Sequence, residues 1–139
     1  MAALTVTAAN VVADSDATVV AGVFGDTITA GQSVYKDASD SNKWKKGVTT
    51  TAATAGSGGV GVAMNGGSDG QPADILTGGK YTSGATNVVG TTYCVSPTAG
   101  GIEDDAAITS GMFKMVLGVA ISATKIHVIP GPTLPIAVA

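Results

Sequence analysis

β-branched side chains dominate this chain: 17 Val, 8 Ile and 18 Thr among 139 residues, against 4 Leu. Branching at Cβ costs rotamer freedom against the turns of a helix but suits a pleated surface. A chain weighted this way folds as β structure. The β-branched residues fall in short runs bounded by Gly, Asp, Asn and Pro, which predict strands at Leu4–Ala8, Thr18–Phe24, Ser33–Lys36, Gly59–Met64, Ala73–Thr77, Thr92–Ser96, Phe113–Ile121 and Lys125–Ile129. That spacing implies a small all-β domain, an antiparallel β-sandwich or a barrel-like sheet.

Turn chemistry refines the layout. Asn65-Gly66-Gly67-Ser68-Asp69-Gly70 supplies residues that tolerate positive φ, so the chain reverses between Val62–Met64 and Ala73–Ile75. Thr77-Gly78-Gly79-Lys80 and Thr98-Ala99-Gly100-Gly101 read as further tight reversals, and only Asp104–Ser110 hints at a helical turn. Pro130, Pro132 and Pro135 cannot donate to a regular ladder, so residues 130–139 are expected as an extended C-terminal arm. Residues 1–16 form the matching N-terminal arm, and 17–129 the β domain between them.

An echo links the two halves. Gly31-Gln-Ser-Val-Tyr35 precedes Gly61-Val-Ala-Met-Asn65, and Gly90-Thr-Thr-Tyr93 precedes Gly118-Val-Ala-Ile-Ser122, with Trp44 and Ile102 in comparable places after the tyrosines. Two readings stand: a repeated strand–loop–strand unit, or coincidence in a Gly/Val/Ala-rich sequence. Equal strand order and direction in the two segments is the criterion that separates them.

Only 12% of residues are charged, about half of the roughly 25% usual for soluble domains. The surface must be built from Thr, Ser, Gly and Ala, a coat that protects weakly against association. Net charge is −3 and arginine is absent, which argues against nucleic acid, since phosphate recognition leans on clustered Lys and bidentate Arg. Lys43, Lys45 and Lys46 around Trp44 read as a solvated loop. Cys94 is alone, so no internal disulfide framework is expected and an intracellular folding compartment fits. The opening Met-Ala-Ala-Leu-Thr lacks a basic region followed by an apolar block, and no apolar run approaches membrane-spanning length, so neither export nor a membrane partner is expected.

The motifs that could carry chemistry fail on context. Gly56-Ser-Gly-Gly-Val-Gly61 matches G-x-G-x-x-G, but it follows a small-residue run, Thr49–Ala55, and precedes a strand, the reverse of a dinucleotide turn. Gly78-Gly79-Lys80 lacks the remaining glycine of a phosphate loop. His127, between Ile126 and Val128, is read as a solvated or interface residue of a strand, and one His with one Cys cannot make a zinc site. Glu103-Asp104-Asp105 reads as a solvated turn, since its spacing lacks a calcium-loop pattern, and Asp69 as a turn residue bonding to backbone. Catalytic residues, cofactors and metals are therefore all expected to be none, and the chain is not expected to be an enzyme.

The order of certain residues carries more. Ile28-Thr-Ala-Gly31-Gln32-Ser-Val-Tyr35-Lys-Asp37, Trp44, Gly61-Val-Ala-Met-Asn65-Gly, Gly70-Gln71-Pro72, Thr77-Gly-Gly, Gly90-Thr-Thr-Tyr93-Cys-Val-Ser96, Gly100-Gly-Ile102 and Gly118-Val-Ala120 together resemble the capsid cement, or head-decoration, proteins of tailed bacteriophages, over residues 18–129. The resemblance implies a β-rich protein, made in the host cytoplasm, that adds to the outside of the expanded head over junctions between major capsid proteins. Its partners would be the phage major capsid protein and other copies of itself, as a trimer in preference to a dimer. The family has no catalytic motif to carry over.

Candidate interface residues follow from the two arms and the lone tryptophan. In the N-terminal segment these are Leu4 and Val6, where Thr5-Val6-Thr7 alternation suits strand addition to a capsid edge. In the C-terminal arm they are Ile129, Leu134 and Ile136. Trp44 is the aromatic candidate, either packed inward beneath its lysines or pressed on a neighbour. The alternative function is a surface adhesion or carbohydrate-binding β module of a phage particle.

Overall fold

Small and β-branched residues make strands that can be covered on both faces, and the fold uses them so. The computed structural model describes residues 3–138, with the backbone alone for 130–134. Its strands are β1 Val12–Ala13, β2 Thr18–Val23, β3 Ser33–Asp37, β4 Lys43–Lys46, β5 Val60–Ala63, β6 Pro72–Thr82, β7 Thr92–Val95, β8 Ile102–Asp104, β9 Phe113–Ala120 and β10 Lys125–Ala137. They join in one antiparallel sheet of order β4-β3-β5-β6-β10-β9-β7-β8, with β1 and β2 added to β6. The sheet curls into a half-barrel, so the all-β expectation holds.

This order is a palindrome. In each half a hairpin (β3–β4 or β7–β8) is flanked on its first strand by a third strand (β5 or β9), which pairs with a fourth (β6 or β10). All these pairings are antiparallel, and the fourth strands join the halves through Ile126↔Tyr81 and its neighbours. The echo between the halves therefore corresponds to a repeated strand order. Gly31 (φ 93°) and Gly90 (φ 83°) open the two hairpins in a conformation side chains rarely adopt. Trp44 and Ile102 are both buried on the second strand of their hairpins.

Two cores occupy the two faces. Val60, Val62, Leu76, Tyr81, Met115, Leu117, Ile126 and Val128 belong to the larger. Phe24, Ile28, Val34, Trp44, Ala63, Ala73 and Ile75 form the second, in the first half. Strand alternation on β5 sends Val60 and Val62 to the first core and Ala63 to the second, so the strand is buried on both faces. Such strands have no room for charge, which accounts for part of the sparse charge of the chain.

Several local expectations are corrected. Leu4–Ala8 is not a strand: Thr7 leads into a 3-10 turn at Ala8–Asn10, and the segment is tied down by the N–H of Leu4 donating to Ile102 O (2.8 Å) and that of Thr7 to Gly84 O (2.8 Å). Thr77–Lys80 does not reverse. It runs through the middle of β6, where Gly79 (φ 92°) lies against Ala17 and the strand changes neighbours from β2 and β5 to β1 and β10. Lys43–Lys46 is strand β4 rather than a loop, and Thr49–Ala55 contains a one-turn helix, α1 Ala52–Ala55, closed by a capping box between Thr51 and Thr54. Within the C-terminal segment β10 continues to pair with β9 as far as Ala137↔Phe113, with register shifts either side of Gly131. That broken ladder is what a proline-bearing strand allows.

Candidate functional site

The six interface candidates separate by burial. Leu4 and Val6 are half-buried and pack against the larger core, with Val6 lying over Gly31, so this segment is docked on its own domain. Ile129 and Ile136 are 61% and 57% exposed on β10. Leu134 falls outside the described side chains. Trp44 is only 4% exposed and fills the second core, where Gly22 makes room for its indole: a Cβ at Gly22 would lie 2.7 Å from Trp44 Nε1. The tryptophan is a core residue, and its flanking lysines face outward from β4.

Those lysines are satisfied by the chain itself. Lys45 Nζ lies 2.9 Å from Asp37 and 3.0 Å from Asp40, Lys43 lies 3.1 Å from Asp69, and the Lys36 ammonium sits 5.6 Å from the centre of the Trp44 ring. Ser39 and Lys45 donate to the Asp37 carboxylate and hold its pKa down to about 2, while the two aspartates push that of Lys45 upward. Asp69 thus bonds a lysine rather than its own turn. The turn is closed instead by Gln71 Oε1, which accepts from Ser68 N–H (2.7 Å), and by Asn65, which accepts from Asp74 N–H (2.8 Å) and donates to Pro72 O (3.1 Å).

The remaining polar candidates are dispersed. His127 stands in a cross-strand row between Lys80 and Val119. The glycines from Gly56 follow the end of α1 and lead into β5, so they present no helix N-terminus to a phosphate. Glu103 is not on a solvated turn: it lies in β8, 6% exposed, and accepts a 2.6 Å hydrogen bond from Ser96 Oγ. Strand alternation gives no signal of that burial, since the neighbouring Ile102 is buried as well. Among the described residues no three His, Cys, Asp or Glu side chains gather as metal ligands, and no helix is long and apolar enough to cross a membrane.

Cys94 is fully buried on β7, and burial pushes its thiol up to about 12. The native protein should therefore resist alkylation by iodoacetamide at pH 8 and take one label per chain after unfolding. Labelling of the native fold at the rate of a free thiol would contradict this burial.

The exposed apolar residues are what the sequence located least well. Val19, Val20 and Val23 on β2 are 42%, 37% and 41% exposed, and Val88 and Val89 are 67% and 63% exposed in the loop before β7. Val119 and Ile121 add to them at the end of β9. Ile129 and Ile136 on β10 belong to this set of solvent-exposed apolar side chains. No protein-family model matches the chain, and no curated protein matches its sequence.

Proposed function

We propose that this chain is a capsid cement protein that binds the outer surface of the expanded head of a tailed phage and stabilises contacts between major capsid proteins. The observation that carries the reading is the ordered succession from Gly31–Tyr35 through Trp44, Gly61, Gly90–Tyr93 and Gly118. These residues occupy the constrained points of the fold: the two positive-φ hairpin entries, the buried tryptophan, and two glycines pressed on neighbouring strands. A match at such points concerns the architecture and not composition alone.

The surface supports the same reading. A coat of Thr, Ala and exposed Val can be buried against a lattice without stripping water from unpaired ions, a cost of several kcal/mol per ion. Binding to the expanded lattice alone would then stabilise that lattice by mass action, and no reaction is required. The adhesion alternative has less support. Carbohydrate sites use exposed aromatic platforms, whereas Phe24, Trp44, Tyr81 and Tyr93 are buried here, and Tyr35 and Phe113 half-buried.

Cryo-electron microscopy of phage particles assembled with and without this chain tests the proposal. Density on the outer capsid surface that is lost with the chain, together with heads that rupture at lower temperature, is the expected result. Particles whose outer surface and heat resistance do not change would overturn it.

A further inference from the structure

Glu103 is the one charged side chain buried among the described residues, 6% exposed on β8. A buried carboxylate is normally matched by a cation, because burial strips the charge of its water. Among the described residues no lysine forms an ion pair with Glu103. The other carboxylates of the same acidic run are engaged elsewhere: Asp104 accepts from the N–H of Ala106 (2.9 Å), and Asp105 lies 3.6 Å from Lys114 Nζ.

The side chain of Glu103 accepts one hydrogen bond among the described residues, from Ser96 Oγ to Oε1 (2.6 Å). Ser96 Oγ itself accepts from the N–H of Thr98 (2.9 Å), so its single proton is committed to the carboxylate. Oε2 is left without a donor. No side-chain oxygen or nitrogen among the described residues is both unpartnered and sealed from solvent, so Oε2 is the accessible edge of this carboxylate. That edge is reached through a cavity of about 550 Å³ that Glu103 lines together with Ala3, Pro97, Thr98, Ala107 and Thr109.

We propose that this cavity is a binding site for the side-chain ammonium of a lysine presented by another protein. One accessible carboxylate oxygen is a single strong acceptor, which suits a point-like ammonium and not the two-pronged fork of a guanidinium. Thr98 and Thr109 supply hydroxyl acceptors in the same cavity for its other protons, and Ala3, Pro97 and Ala107 give the methylene stem an apolar wall. A divalent cation is a poor fit, since it asks for several oxygen ligands and no second carboxylate lines the cavity among the described residues. A free small amine is a poor fit as well: one charge-assisted bond leaves little affinity after the cost of association, whereas a lysine arrives with protein surface around it. Thr98, Ala106 and Thr109 at the mouth are exposed and uncharged, so that surface can close over the site without displacing ions. The inference is independent of the capsid reading, because it rests on the chemistry of this cavity alone.

Solution NMR of the full chain, titrated with the capped peptide acetyl-Gly-Lys-Gly-amide, tests it. The amides of Thr98, Glu103, Ala106 and Ala107 should shift and saturate in the millimolar range. The same peptide acetylated on the lysine nitrogen should leave them unmoved, because it has lost the charge, and the arginine peptide should bind several-fold more weakly. Glu103→Gln should weaken the lysine peptide at least about tenfold, the usual worth of a hydrogen bond to a charged group. Circular dichroism melts check that this variant folds. Ala107→Leu gives a second reading that keeps the carboxylate: it fills the cavity and should also block the peptide. Absence of saturable shifts at these amides, equal binding of the acetylated or arginine peptide, or undiminished binding by a folded Glu103→Gln or by Ala107→Leu would each overturn the proposal.

Discussion

Replacing Gly118 with alanine is expected to cost upwards of about 4 kcal/mol, the range reached by few single substitutions. β10 presses closely on β9 at Gly118: a Cβ there would collide with the carbonyl oxygen of His127 and lie 2.9 Å from Val128 Cα. Both obstacles are main chain, so relief requires the two strands to separate at the centre of the second half. Gly61 is its counterpart on β5, where a Cβ would lie 2.6 Å from Leu76 O on β6, and Gly61→Ala should destabilise for the same reason. Gly90 is the control. It has positive φ but open space around it, so Gly90→Ala should cost only about 1 kcal/mol. Urea denaturation followed by circular dichroism measures all three. Equal losses at Gly118 and Gly90 would show that close approach is not what Gly118 provides.

Trp44→Ala should lower stability by about 3–5 kcal/mol, the usual cost of emptying a large aromatic from a core. The indole is the largest side chain of the second core, and Phe24, Val34 and Ile75 share that core with it. No one neighbour can fill the space, so the cavity should persist. Trp44→Phe keeps most of the apolar volume and should lose less than half as much. Because Trp44 is the only tryptophan, its fluorescence in the wild-type chain should be blue-shifted when folded and move to the red on unfolding. A Trp44→Ala variant as stable as wild type would place the indole outside the core.

Much of the β structure was legible locally. The runs at Thr18–Phe24, Ser33–Lys36, Gly59–Met64, Thr92–Ser96 and Phe113–Ile121 match β2, β3, β5, β7 and β9 within one or two residues. Those strands announce themselves because β-branched residues alternate over a run bounded by turn formers. β4 did not, since three of its four residues are lysines. Its strand state comes from pairing with Ser33–Asp37, and a lysine-rich segment reads as loop until that partner is known. Gly78-Gly79 misled in the opposite sense. Two glycines usually end a strand, but here they let β6 bend and change neighbours while remaining one element.

Interface candidates were harder to read, for a related reason. An apolar residue in sequence is either core or contact, and the difference lies in which face the sheet closes over. Leu4, Val6 and Trp44 were candidates by residue type, and packing turned all three toward the interior. Val19, Val20 and Val23 looked like ordinary strand residues, yet the fold leaves their side chains exposed.

By itself, then, the sequence determined that this chain is β, where most of its turns lie and that its two halves carry matching marks, because those properties follow from side-chain branching, glycine and spacing along the chain. Tertiary structure alone decided the palindromic strand order, the inward tryptophan and the exposure of the β2 valines. Pairing between distant strands is set by which surfaces close on one another, and no local preference records it.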